Sequence, residues 1–165
     1  MSKPILAVVI GSTRPGRVGP KFARRFRERA VAPGGFDVEL INLAGVNLPL
    51  LNEPNHPRLH QYVHGHTIEW SRTVECADAF VFVTPEYNFG YSVALKNAID
   101  YLFGEWADKA VGFLSYGRIA GGTRAVQQLK QVVTSLKMVP VVESVNTPFF
   151  SQFIDEAGVS VPAIR

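Results

Sequence analysis

The stretch Ile5–Gly19, ILAVVIGSTRPGRVG, constrains the chain most. Ile5 to Ile10 is an unbroken apolar run dominated by β-prone side chains. A run that short and that apolar suits a strand buried on both faces. Gly11 ends it, and Ser12, Thr13, Arg14, Pro15, Gly16 and Arg17 lead into a helical pattern. Such a turn gathers backbone N–H groups at an electropositive helix N-terminus, where hydroxyls donate and guanidinium forks grip an anion.

Three kinds of phosphate loop can be separated here. Gly11 and Gly16 have the spacing of GxxxxGK[ST], but Arg17-Val18 stands where that loop needs a lysine and a magnesium-binding hydroxyl. This argues against a nucleoside triphosphatase. Gly11-Ser12-Thr13 breaks the GxGxxG of a dinucleotide fold. What remains is a hydroxyl-rich loop for one terminal phosphate, such as flavin mononucleotide (FMN) presents. The competing reading is an ordinary strand-to-helix turn with solvated arginines.

Strand and helix patterns then alternate along the chain, which predicts a doubly wound parallel sheet with helices on both faces. The first helix is expected over Pro20–Ala32, with Phe22, Ala23, Phe26 and Ala30 inward and Lys21, Arg24, Arg25, Arg27 and Arg29 solvated. Pro33-Gly34-Gly35 stops it. The second strand is expected over Phe36–Leu43, and Ala44–Pro57 reads as a loop that walls a site. His60 and His64 lie four apart with His66 beyond, but Gly65 interrupts them and no carboxylate or cysteine completes an evident set, so no metal site is expected. A helix opening at His66-Thr67 would turn Ile68, Ser71, Val74 and Cys76 toward the core, making Cys76 a small buried hydrophobe.

Ala79–Val83 is the third strand and runs into Thr84-Pro85-Glu86-Tyr87-Asn88-Phe89-Gly90. A rigid loop with one aromatic face and exposed N–H groups could seat a planar heterocycle by its polar edge. The next helix, Ser92–Phe103, buries Leu95, Ile99, Leu102 and Phe103 and leaves Lys96, Asn97, Asp100 and Tyr101 as a candidate subunit contact. A fourth strand within Lys109–Tyr116 leads through the glycine-rich Gly117–Thr123 to a helix with Val126, Leu129, Val132, Val133 and Leu136 on one side. Val139–Val142 is a short fifth strand. Ligands in such sheets sit at the carboxyl ends of the strands, so the loops after strands one, three and four belong on one edge.

Composition narrows the partners. With 165 residues, 47% hydrophobic and 19% charged, the chain suits one globular domain over residues 1–165. A net charge of +3 favours anionic small molecules and does not by itself call for nucleic acid. Cys76 is the one cysteine, so no intrachain disulfide can form, and a reducing cytoplasm is expected. No apolar run reaches the ~20 residues of a membrane span.

GSTRPGR at Gly11–Arg17, ADAFVFVTPEYN at Ala77–Asn88, LKNAIDYL at Leu95–Leu102 and the glycine loop at Tyr116–Thr123 together resemble the NADPH-dependent FMN reductase family. That family has a flavodoxin-like fold and includes quinone, azo-dye and chromate reductases. The resemblance implies five parallel strands in the order 2-1-3-4-5. It implies FMN as cofactor, NADPH or NADH as co-substrate, and hydride passing through flavin N5 to a small acceptor: free flavin, quinone, azo compound or metal oxyanion. Ser12, Arg14, Arg17, Val18 and Gly19 would surround the FMN phosphate. Pro85, Glu86, Tyr87, Asn88 and Phe89 would line the isoalloxazine, largely through backbone N–H groups, and Ser115, Tyr116 and Gly117 would close its other side. No catalytic side chain is required, and Tyr87 reads as a stacking residue. Homodimers or homotetramers are implied, as is a last helix after the fifth strand; here Thr147–Arg165, with Pro148 and Pro162, reads as a loop, so that helix is missing or short. A flavodoxin-type electron carrier is the alternative, although carriers of that kind are expected to be acidic, and a flavin-sensing module without turnover is another.

Overall fold

The apolar run at the N-terminus becomes the second strand of a five-stranded parallel sheet, β2-β1-β3-β4-β5. The computed structural model describes residues 2–155 and 158–159. The strands are β1 (Ile5–Ile10), β2 (Asp37–Asn42), β3 (Ala79–Pro85), β4 (Ala110–Tyr116) and β5 (Val139–Thr147). The helices are α1 (Gly19–Val31), α2 (Leu43–Val46), α3 (Gly65–Glu75), α4 (Val93–Asp100) and α5 (Thr123–Ser135). The order is the flavodoxin-like one that the family resemblance implied.

The period of two in the strands divides the core in two. Ala7, Val9, Phe80, Phe82 and Phe113 meet Trp70 and Val74 of α3, Leu95 and Ile99 of α4, and Leu129 and Val133 of α5. Leu6, Val8, Ile10, Val81, Val83 and Leu114 meet Phe22 and Ala23 of α1. The first layer is heavily aromatic: Trp106 stands edge-on to Phe80, 5.0 Å away, and to Phe82 at 6.0 Å. Both indoles satisfy their N–H inside it, Trp70 on the Ala98 carbonyl at 2.8 Å and Trp106 on that of Ile99 at 3.1 Å. Burying such rings contributes roughly 1.5–3 kcal/mol apiece.

Several expectations need correction. β2 stops at Asn42, because the Asn42 side chain accepts the Ala44 N–H and caps α2. In α3 the inward residues are Thr67, Trp70, Ser71 and Val74, the i, i+3, i+4, i+7 face. Ile68 lies one position off that stripe and Cys76 half a turn around from it, so both are exposed, and Cys76 is not the buried hydrophobe anticipated. β5 runs to Thr147, well beyond Val142, since Ser144–Thr147 pair with Phe113–Tyr116 after a register shift. An edge strand exposed on one side has no need of apolar patterning there, which hid its length.

The tail is not all loop. A 3-10 turn at Phe150–Phe153 precedes a small antiparallel pair, β6 (Ile154–Asp155) with β7 (Gly158–Val159). Phe150, Phe153, Ile154 and Val159 pack with the α1 layer of the core. Among the described residues that turn is the one helical element after β5; Pro162 lies outside them.

Candidate functional site

At the carboxyl edge of the sheet, the segments after β1, β3 and β4 meet around a cavity of about 100 Å³. The first contributes Arg14, Arg17 and Val18, the second Pro85, Glu86 and Tyr87, and the third Tyr116, Gly117 and Arg118. Phe150, from the tail, completes the wall.

The β1 loop is built to leave donors open. Gly11 N–H continues the sheet onto the Val83 carbonyl at 2.9 Å, and Arg17 N–H closes a turn on the Arg14 carbonyl at 3.2 Å. The N–H groups of Ser12, Thr13, Arg14, Gly16 and Val18 have no acceptor among the described residues. Arg17 donates from Nη2 to Asn42 Oδ1 at 3.2 Å, while its buried Nε has no partner among the described residues. A buried N–H without an acceptor is costly, so this arrangement suits a bound anion. Arg14 is exposed and donates only to the adjacent Pro15 carbonyl.

Beneath that loop Ser12 is fully buried, and its Oγ accepts the Tyr116 hydroxyl at 3.3 Å. The Tyr116 ring lies parallel to Phe22 at 4.9 Å and edge-on to Phe150 at 5.6 Å. Tyr116 therefore supports the β1 loop from below, in addition to bordering the cavity. Burial pushes its phenol up to about 12, so it stays protonated and donates. Gly19 lies against this pair: a Cβ there would stand 2.5 Å from Ser12 Oγ and 3.0 Å from the Tyr116 hydroxyl.

The loop after β3 differs from its implied role. Pro85 has no N–H, Glu86 N–H is spent on the Tyr116 carbonyl, and Tyr87 and Gly90 exchange N–H···O bonds of 2.8 and 2.9 Å. Only Asn88 and Phe89, both at positive φ, keep an N–H free of acceptors among the described residues. Tyr87 is 40% exposed and lines the cavity. Phe89 and Asn88 do not line it. The Phe89 ring sits 4.0 Å beneath the Arg124 guanidinium, and its carbonyl accepts Gln128 Nε2. The Glu86 carboxylate accepts Arg124 N–H at 3.2 Å and pairs with Arg124 Nη1 at 3.3 Å, fastening the loop to α5.

Near the end of β4, Ser115 is buried and does not line the cavity. Its hydroxyl spans the Gly121 carbonyl and Asn146 Oδ1, both at 2.8 Å, and so braces the glycine loop. Gly122 is held at φ 90, where a Cβ would collide with Ser115 at 2.5 Å. Arg118, Phe150, Asn42 and Arg124 were missed from sequence. Arg118 follows Gly117 directly and was legible as a strand-end cation; Phe150 reaches the cavity only through the fold of the tail.

A second groove of about 370 Å³ runs past Thr13 between α2 and α4, bordered by Leu43, Leu48, Leu50 and Val93. The 44–57 stretch is not all loop, since α2 opens it, and it borders this groove and not the cavity at the ends of β1, β3 and β4. Asn97 and Tyr101, expected at a subunit contact, instead hold this loop: Asn97 Nδ2 donates to the Pro49 carbonyl at 2.6 Å, and the Tyr101 hydroxyl donates to Asn52 Oδ1 at 2.9 Å.

The histidines divide. His64 and His66 stack at 5.1 Å and bond to Asn52. Contrary to the sequence reading, carboxylates do approach His60: one ligand atom each of His60, Glu75 and Glu105 lie within 4.8 Å of one another. Glu105 Oε1, 3.3 Å from His60 Nδ1, already accepts the Tyr62 hydroxyl at 2.6 Å and the Ser71 hydroxyl at 2.7 Å. The cluster braces α3 against the chain leading into β4.

A model of the NADPH-dependent FMN reductase family matches residues 4–152. An NAD(P)H-dependent FMN reductase of Schizosaccharomyces pombe is 40% identical over 137 residues, spanning 82% of this chain and 68% of the relative. One from Saccharomyces cerevisiae is 35% identical over 144 residues, 81% of this chain and 75% of that one. A quinone reductase of Pseudomonas putida is 34% identical over 143 residues, 81% of this chain and 71% of that one. Among solved structures, a flavoenzyme NAD(P)H:(acceptor) oxidoreductase from Paracoccus denitrificans superposes with a TM-score of 0.74 over 94% of this chain and 85% of its own, at 22% identity; that match bears on the fold alone.

Proposed function

The chain belongs to the NADPH-dependent FMN reductase family, and on that premise we propose which of its residues hold the flavin. The chain is an FMN-dependent NAD(P)H oxidoreductase. The observation that carries the residue assignment is the unpartnered, buried Nε of Arg17 beside open backbone N–H groups in the β1 loop. Positive donors without acceptors fit a terminal phosphate.

In this reading Arg17, with the N–H groups of Ser12, Thr13, Arg14, Gly16 and Val18, holds the phosphate. Asn42 sets the plane of the Arg17 guanidinium. Tyr116 keeps its proton and orients the Ser12 hydroxyl. Gly19 lets the helix approach that hydroxyl. Pro85, Tyr87, Gly117 and Phe150 supply a largely apolar wall that excludes water from one side of the ring system, and Asn88 and Phe89 retain the free N–H groups of their loop. Ser115 acts through the glycine loop, and Glu86 by holding its own loop to Arg124. FMN, when bound, supplies the hydride chemistry between NAD(P)H and a small acceptor of the flavin, quinone, azo or metal-oxyanion class.

We also carry forward a homodimer or homotetramer. Support comes from Val93 and Leu50, 72% and 74% exposed beside the larger groove. The single cysteine supports a cytoplasmic setting. No described helix is long and apolar enough to cross a membrane.

The visible spectrum of the purified protein with FMN, followed by NADPH oxidation with a quinone acceptor, tests the function. A flavin spectrum bleached by NADPH and steady turnover are expected. Flavin retention without turnover would instead describe an electron carrier or sensor.

A further inference from the structure

We propose that Arg118 takes the adenosine 2′-phosphate of the dinucleotide and so biases the enzyme toward NADPH over NADH. The inference rests on the FMN assignment above, because it concerns the cation that FMN leaves unused.

Arg14, Arg17 and Arg118 line the cavity, and Arg124 stands behind it on Glu86. Arg124 is neutralised by Glu86 at 3.3 Å. Arg17 is tethered to Asn42 and turns a buried Nε to the β1 loop. Arg14 lies on that same loop, beside the open N–H groups. One FMN phosphate, a dianion at most, is matched by this loop and its two guanidiniums.

Arg118 stands on the opposite wall. It is exposed and forms no side-chain hydrogen bond or ion pair among the described residues. Its backbone is nevertheless fixed: the Arg118 carbonyl accepts Phe149 N–H at 2.9 Å and Gly121 N–H at 3.2 Å, while Gly117 N–H binds the Thr147 carbonyl at 3.2 Å. A free guanidinium on a rigid root loses little backbone freedom when it meets a ligand. Its planar fork suits the several oxygens of a terminal phosphomonoester. NADPH and NADH share every other group and differ in one such phosphomonoester. The surplus cation and the distinguishing anion therefore match in charge and geometry.

The test uses FMN-saturated protein. Calorimetric titration compares 2′,5′-ADP with 5′-AMP on the wild type, Arg118→Ala and Arg118→Lys, and kcat/KM is measured for NADPH and NADH on the same proteins. The wild type should bind 2′,5′-ADP about tenfold more tightly than 5′-AMP, the scale of a charge-assisted contact. Arg118→Ala should erase that preference and lower the NADPH-to-NADH ratio of kcat/KM by a similar factor. Arg118→Lys should restore part of it. Equal losses for both dinucleotides, or an unchanged ratio, would overturn the proposal. The FMN Kd of each protein separates this from the parent reading: failure of the wild type to bind FMN would overturn both, whereas normal FMN binding with an unchanged ratio sinks only the role of Arg118.

Discussion

The Tyr116 hydroxyl donates to Ser12 Oγ across 3.3 Å, joining the end of β4 to the phosphate-type loop after β1. With the Tyr116 ring parallel to Phe22, this contact fixes the height of the loop above α1. Tyr116→Phe keeps the stack and removes the donor. Loss of one buried neutral hydrogen bond should cost about 0.5–1.5 kcal/mol of stability. Urea unfolding without FMN measures that, and a fluorescence titration should show FMN binding weakened several-fold. Unchanged FMN affinity would show that the Ser12 hydroxyl needs no orienting partner.

Gly19→Ala places a methyl 2.5 Å from Ser12 Oγ and should push the loop off α1, at a cost of roughly 1–3 kcal/mol for overpacking. Gly35→Ala is the matched control, since a Cβ there meets nothing within 4 Å. Thermal unfolding of both, with and without FMN, should show a clear loss for position 19, larger with FMN present, and little change for position 35.

Arg17→Ala should weaken FMN binding by about 1.5–3 kcal/mol, the range for a charge-assisted hydrogen bond. Arg14→Ala should cost less, because Arg14 is exposed and held only by the neighbouring Pro15 carbonyl. Equilibrium flavin fluorescence gives both constants. Equal losses would mean that the buried, unpartnered Nε of Arg17 is not what distinguishes the two.

The buried Glu105 should shape the acid limb of stability. Burial alone raises its pKa, but hydrogen bonds from Tyr62, its own backbone, Ser71 and Phe103 outweigh that and hold it below the usual glutamate value. A depressed carboxyl stabilises the fold above its unfolded pKa, and that contribution is lost as pH falls through the folded value. Glu105→Gln should therefore lower stability near pH 7 by about 1–3 kcal/mol, the cost of unsatisfied buried donors, and flatten the decline below about pH 4.5. Urea midpoints measured from pH 7 down to about pH 3 check both. An acid limb as steep in the variant as in the wild type would assign it to other carboxylates.

Much of this molecule was legible before any coordinates. Unbroken apolar runs marked β1 and β3, the 3.6-residue stripes of α1 and α5 read correctly, and the glycine, hydroxyl and cationic residues at strand ends located the cavity, whereas Tyr101, placed on the outer side of the α4 stretch, is buried. Those signals are local, set by side-chain period and backbone freedom. Ile68, Cys76 and the length of β5 were misread because a one-position phase error rotates a helix by 100°, and because a half-exposed edge strand carries little pattern.

Sequence alone thus determined a doubly wound parallel sheet, the edge on which its loops meet, and the donor chemistry of the β1 loop, since each follows from periodicity or turn residues, while the strand order came only from the family resemblance. Tertiary structure alone decided how those donors are used. It buried Arg17 Nε without a partner, spent the Glu86 and Tyr87 N–H groups inside the protein, turned Tyr116 under Ser12, and brought Phe150 from the tail to the cavity wall. Hydrogen-bond satisfaction and steric contact between distant segments depend on distances that no stretch of sequence encodes by itself.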